Sequence, residues 1–298
     1  MTTHEFSETG PFTAWAEYFT LNTARHDRLD RTIPWGAISP LPAADIAAIA
    51  RSLQRFELGE SGEGEGLRSK ARRRFDRDYD TALELFVAEE QKHSALFGRA
   101  LRRFGVGPLH EHWSDAAFVR LRRLMGLRTE VTLFLIAETV ALEYFAALER
   151  SADPVLRGVA RRVLTDEVEH IRFQIAQLQV GLRRVPAGVR MLAAAAAWVV
   201  AAGAATVVAV DHGPALRAGG LRPAVFWGRA MRHFRRAAAS AFLGRGTGAG
   251  AAAVMGPSAV TTGPVTTGSG TTGAVVAGAA TTGPVAERRA SGIESAAA

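Results

Sequence analysis

Apolar positions recur at three- and four-residue steps over four long stretches, and nowhere alternate with a period of two over a useful length. The first stretch opens at "SPLPAAD". It steps through Ile46, Ile49, Leu53, Phe56, Glu60 and Leu67 into the charged run "RRRFDRDYD". The second carries Leu83, Phe86, Val87, Glu90, His93, Ser94, Phe97 and Leu101, and "FGVGP" stops it. The third, the most apolar, steps through Leu127, Val131, Phe134, Glu138, Ala141, Phe145 and Leu148, and "SADP" breaks it. The fourth begins near Pro154, a favoured first helical position. It continues through Leu156, Ala160, Val163, Glu167, His170, Gln174 and Leu178. The pattern predicts an all-α chain built on four core helices, A to D, with no sheet.

The remaining chain sorts around these four. Residues 1–44 read as irregular, with Pro11, Pro34, Pro40 and Pro42 as breakers. Helices A to D occupy 45–182. The connection over 105–128 is long enough to cross a bundle lengthwise and includes a helical piece. In 183–243, Met191 to Val210 carry no charge, a run long enough to span a bilayer. Its alanine and glycine content instead predicts a fifth helix packed on the bundle. A basic helix follows over 223–243, with Phe226, Trp227, Met231 and Phe234 among its arginines; it is expected either to lie on an anionic membrane surface or partner, or to bury those aromatics. Residues 244–298 are Gly/Ala/Thr/Val-rich, repeat "TTGPV", and are expected to be disordered.

Two of the apolar stripes contain the same polar interruption. "FVAEEQKHSALF" places Glu90 and His93 on the greasy face, and "LTDEVEHIRF" does so with Glu167 and His170. Residues three apart share a helix face, with Cβ atoms about 5–6 Å apart. An unpartnered buried carboxylate costs several kcal/mol or takes up a proton, and these stripes offer no Lys or Arg to answer it. A bound cation would. Two-metal bundles add one Glu from each of two further helices, and helices A and C offer Glu60 and Glu138. The glutamates then carry four negative charges, matching two divalent ions. The midpoint between Glu60 and Glu90 falls near Phe75, in the charged turn; that between Glu138 and Glu167 falls near Ala152, in "SADP". Each pair is therefore level in an antiparallel hairpin. Glu143 fits this register less well. Glu89 and Glu169 lie off the stripes, and Glu57 and Glu63 compete with Glu60. The glycines of "ELGESGEGEG" leave an acidic loop as the alternative to a helix around Glu60. Tyr144 and the "HEH" at His110–His112 read as a structural tyrosine and a surface turn.

These six residues, in two hairpins each reading Glu then Glu-x-x-His, resemble the ligand pattern of the ferritin-like di-iron carboxylate superfamily. The resemblance covers about residues 45–180 and extends to bacterial ferritin-like domain proteins with a similar "ELGES" stretch and basic C-terminal helices. It implies a ferritin-like four-helix bundle with a long B–C crossover, followed by additional C-terminal helices. It implies two Fe ions, or Mn, on Glu60, Glu90, His93, Glu138, Glu167 and His170, with Glu90 and Glu167 bridging. The implied activity is an oxidoreductase acting on O2 or peroxide and a further substrate. A ferroxidase in iron storage or detoxification is the alternative; a metal-free structural or membrane-associated helical protein is the third reading. Val163 stands where arylamine oxygenases of this superfamily carry an extra histidine.

Composition narrows the chemistry. The absence of cysteine excludes disulfides, iron–sulfur clusters, rubredoxin-type sites and thiol catalysis from this chain. The polar N-terminal stretch shows no basic-then-apolar signal pattern, so a cytoplasmic location is expected, with membrane association through 191–243 as the exception. The net charge of +7 comes without a helix-turn-helix, zinc-finger or RNP pattern, so no nucleic-acid partner is expected. A homodimer fits the superfamily.

Overall fold

The computed structural model describes residues 10–62, 64–73 and 77–244, which form α-helices and, among the described residues, no strand. In chain order they are α1 (Thr13–Arg31), α2 (Ala43–Glu60), α3 (Glu65–Arg72), α4 (Arg77–Arg103), α5 (Trp113–Leu124), α6 (Leu127–Glu149), α7 (Pro154–Leu182), α8 (Ala187–Asp211), α9 (Gly213–Ala218) and α10 (Pro223–Leu243). The expected 244–298 tail lies outside the described residues, apart from Gly244, and so does the turn at Phe75.

Four of these are the expected core helices: α2 pairs with α4, α6 with α7, and α4 also packs on α7. Cross-helix bonds give their directions. Ser94 Oγ donates to the Glu57 carbonyl while Gln91 Nε2 donates to that of Gly62, so α2 and α4 are antiparallel. Glu138 meets Gln174 and Glu149 meets Arg161, so α6 and α7 are antiparallel too. His93 faces Asp166 and His170 faces Glu89, which makes α4 antiparallel to α7. Hence α4 and α6 run the same way. A chain leaving the end of α4 must travel the length of the pair before α6 can start, and the connection carrying α5 does this. Asp153 closes the α6–α7 turn as N-cap of α7: its Oδ1 accepts from the Val155 and Leu156 amides at 2.8 and 3.0 Å, and Oδ2 from Arg103 Nη1 at 2.8 Å.

Two expectations need correction. The N-terminal 44 residues are not irregular throughout, because Thr13–Arg31 is a helix of 19 residues. No Pro or Gly interrupts it; the prolines at 34, 40 and 42 belong to the connection that follows. Its Trp15, Tyr18, Phe19, Asn22 and His26 are buried against α4 and α7, an i, i+3, i+4 stripe broken only by polar members. The connection returns over α7, where Ile33 approaches Gly158 so closely that a Cβ there would meet Ile33 carbons at 3.3 Å. Helix A also stops earlier than expected. It ends at Glu60, and Leu67 belongs to the separate short α3. The glycines of "ELGESGEGEG", each about 1 kcal/mol worse than alanine inside a helix, make the break, and Gly64 takes a left-handed φ of 64°.

The C-terminal helices form an added layer. α10 packs on α6, α7 and α8, and buries Phe226, Met231 and Phe234. The aromatic side of the basic helix is therefore part of the core. α6 and α8 are both long and apolar enough to cross a membrane, but only α6 is mostly buried; α8 buries just Ala197, Ala201 and Ala205.

Candidate metal centre

Glu90 and His93 of α4 and Glu167 and His170 of α7 converge inside the α4–α7 pair, each able to place one ligand atom within 4.8 Å of the others. This buried Glu/His cluster could hold a metal ion. Glu90 Oε1 lies 2.8 Å from His170 Nδ1 and 4.0 Å from His93 Nδ1. Glu167 Oε1 is 3.7 Å and Glu60 Oε2 3.6 Å from His93 Nδ1. Glu138, buried on α6, lies near enough to Glu167, Glu90 and His170 to feel their charges, and accepts from Gln174 Nε2 through Oε1. Of the glutamates weighed on α2, Glu60 is the one that approaches His93. Glu57 instead lies toward Gly98, Arg102 and His110, and Glu63 lies outside the described residues.

Among the described residues, four of these six side chains keep one buried polar atom with no hydrogen-bond partner, Oε2 of Glu60, Glu138 and Glu167 and Nδ1 of His93, while Glu90 Oε1 and His170 Nδ1 face each other at 2.8 Å. Buried polar groups are nearly always satisfied, and unsatisfied ligand-type atoms at the Glu/His cluster agree with a site that could hold a metal ion. Imidazole nitrogens and carboxylates together form a donor set suited to a divalent metal ion.

The histidines are held in the ligating orientation from behind. His93 Nε2 donates to Asp166 Oδ2 at 2.9 Å, and His170 Nε2 donates to Glu89 Oε2 at 3.0 Å. A carboxylate there accepts, so a ring proton stays on Nε2 and Nδ1 is the atom turned toward the cluster. Glu89 and Asp166 immediately precede the Glu of each Glu-x-x-His, so each α4 or α7 helix orients the other's histidine. α1 completes the frame. Asn22 Nδ2 donates to Glu89 Oε1 at 2.9 Å, and His26 Nε2 donates to Asp166 Oδ1 at 3.1 Å. Arg162, itself buried, pairs with Asp166 and through Nε with Asp30 at 3.0 Å. His26, Glu89 and Asp166 also lie close enough together to hold an ion, but these bonds and the Arg162 charge already answer them.

The sequence pattern did not reveal this frame. Its signals were the acid before each ligand glutamate and the Trp15–Phe19–Asn22–His26 spacing of α1. Tyr144 takes no part in the cluster: its ring packs on Phe56, Phe145 and His212, and burial pushes its hydroxyl pKa up. His110 and Glu111 are exposed, in the connection before α5.

The charges of the metal-free cluster conflict. Burial, followed by the neighbouring carboxylates, holds Glu60, Glu138 and Glu167 well above the usual range. Burial opposes the charged forms of Glu90, Asp166 and His170 as well, but their partners outweigh it. His170 and His93 hold Glu90 low; His26, His93 and Arg162 hold Asp166 well below its ordinary value; Glu89, Glu90 and Glu138 hold His170 well above its own. A group raised on folding stabilises the fold below its unfolded value, and that contribution is lost as pH climbs through the folded value. For the three raised glutamates the unfolded value is 4.5, and for His170 it is 6.5. Glu90 and Asp166 act in the opposite sense, and only below their ordinary values of 4.5 and 3.8. The thermal midpoint in EDTA is therefore expected to fall as pH rises above about 4.5, and the rise on adding Mn(II) or anaerobic Fe(II) to grow in the same direction. A differential scanning series with and without metal measures both slopes.

No protein-family model matches the chain, and comparison with curated proteins and with solved structures returned no match.

Proposed function

We propose that the chain is a ferritin-like di-iron carboxylate protein, an oxidoreductase that uses O2 or peroxide at two metal ions held by Glu60, Glu90, His93, Glu138, Glu167 and His170. The observation that carries this reading is the buried convergence of Glu90, His93, Glu167 and His170, with Glu60 Oε2 3.6 Å from His93 Nδ1. The two α-helical hairpins, with α4 and α6 running the same way, agree with the bundle that such a site requires. Bound there, iron would supply one-electron redox chemistry toward oxygen. The chain's own residues do the rest. Glu89 and Asp166 hold the imidazoles in one tautomer, and Gln174 holds one Glu138 oxygen so that the other faces the cluster. Phe86 at 4.8 Å, with Phe19 and Phe173 beside it, covers His170 and keeps water from that side.

Anaerobic Fe(II) dialysis is expected to leave about two iron ions per chain, and admitting O2 is expected to consume it in proportion to that iron. A purified chain that retains no metal under these conditions and takes up no O2 overturns the reading. Assembly mass separates the ferroxidase alternative, since storage needs a many-subunit cage.

A further inference from the structure

The outward face of α8 is apolar along its length and, among the described residues, unpartnered. Leu192 is 72% exposed, Val199 67% and Val210 71%, with Trp198 half exposed among them. Leu192, Ala196, Val199, Gly203, Thr206 and Val210 form one row, and Thr206 is its only polar member. Soluble surfaces rarely carry so long an apolar stripe without a partner.

Charge beside the stripe narrows the partner. From Ala187 to Leu243 the sequence has seven arginines and a single acid, Asp211. α10 lies along α8, seated by Trp227 Nε1 donating to Thr206 Oγ1 at 3.1 Å. On α10, Arg232, Arg235 and Arg236 stand exposed. Arg183 and Arg184 are exposed in the turn that enters α8. The apolar row is thus flanked by cations whose own region has almost nothing to pair them.

We propose that the face formed by α8 and the solvent side of α10 docks flat on an anionic lipid bilayer, the α8 side chains entering the headgroup–acyl boundary and the arginines meeting lipid phosphates. Two other occupants fit less well. A second copy would need about 800 Å2 per partner. The stripe, a helix of 25 residues, offers roughly 370 Å2 at about 37 Å by 10 Å. Widening it brings in arginines that find no acids on the matching surface. A spanning α8 would carry α10, packed alongside it, into hydrocarbon together with Arg232, Arg235 and Arg236.

The test is flotation of the full chain with vesicles of phosphatidylcholine alone or with a third phosphatidylglycerol. Binding is expected only to the anionic vesicles, weakening as salt rises, with a blue shift of tryptophan emission that Trp198→Phe removes. Arg232→Glu/Arg235→Glu/Arg236→Glu is expected to weaken binding about 100-fold. Val199→Ser/Val210→Ser is expected to abolish the shift while helicity and metal content stay unchanged. Three results overturn the proposal: no binding to anionic vesicles, retention after a carbonate wash as a spanning helix would show, or a solution dimer that Val199→Ser/Val210→Ser dissociates.

Discussion

Glu167→Gln is expected to move two measurements in opposite directions. Metal bound per chain falls from about two to below one, while the metal-free protein becomes more stable by about 1–2 kcal/mol in urea unfolding. The first follows because Glu167 lies between the two histidine-bearing helices, its Oε1 3.7 Å from His93 Nδ1. The second follows because its carboxylate is buried beside Glu60, Glu90 and Glu138 and is held well above its usual pKa by burial and by Glu90. A neutral amide of the same shape relieves that conflict. A site in which the chain meets its own charges would lose stability on the same substitution, so a destabilised metal-free variant counts against the metal reading. Glu57→Gln is the control: its carboxylate points toward Arg102 and His110, and metal content should not change. Glu89→Gln tests the supporting layer, with metal affinity expected to fall about 10–100-fold and stoichiometry at saturation retained.

Arg162→Met is expected to destabilise the fold by about 3–5 kcal/mol, the cost of leaving one member of a buried ion pair alone. Arg162 is 2% exposed and Asp166 0%. The guanidinium bonds Asp166 within α7 and reaches Asp30 at the end of α1, so one side chain ties the N-terminal helix to the centre. Removing it leaves Asp166 with His26 and His93, both of which it then competes to hold. His93 is expected to lose its fixed tautomer, and metal affinity to drop about tenfold along with stability. Urea unfolding of the metal-free chain measures the first effect and a competitive metal titration the second. The double variant Arg162→Met/Asp166→Asn should recover most of the stability, because no buried charge remains, without recovering the affinity. A single-variant loss under about 1 kcal/mol would mean that α1 is anchored by its aromatic face alone.

That aromatic face belongs to a helix where an irregular segment was expected. Trp15, Tyr18 and Phe19 sit at helical spacing, but the stripe continues through Asn22 and His26, which read as solvent-facing in isolation. They are buried because Glu89 and Asp166, far along the chain, provide acceptors. The same kind of dependence hid the end of α2. Apolar spacing carries on from Glu60 to Leu67, whereas glycine's backbone entropy stops the helix at Glu60. For α10, the sequence left a surface-bound helix and one with core aromatics both open. Its position against α6, α7 and α8 buries Phe226 and Phe234 and leaves α8 exposed.

The sequence by itself determined the helical class, the four core helices and the two Glu-x-x-His pairs, because each rests on periodicity within one helix. A carboxylate and an imidazole three residues apart share a face whatever surrounds them. Only the tertiary structure decided which atoms of those residues face inward, since that depends on Glu89 turning His170 and Asp166 turning His93 across two helices. It also brought Glu60 rather than Glu57 to the cluster, and gave α1 its place behind the histidines. The bonds that turn the histidines and seat α1 join residues 67 to 140 positions apart, and no local pattern records such contacts.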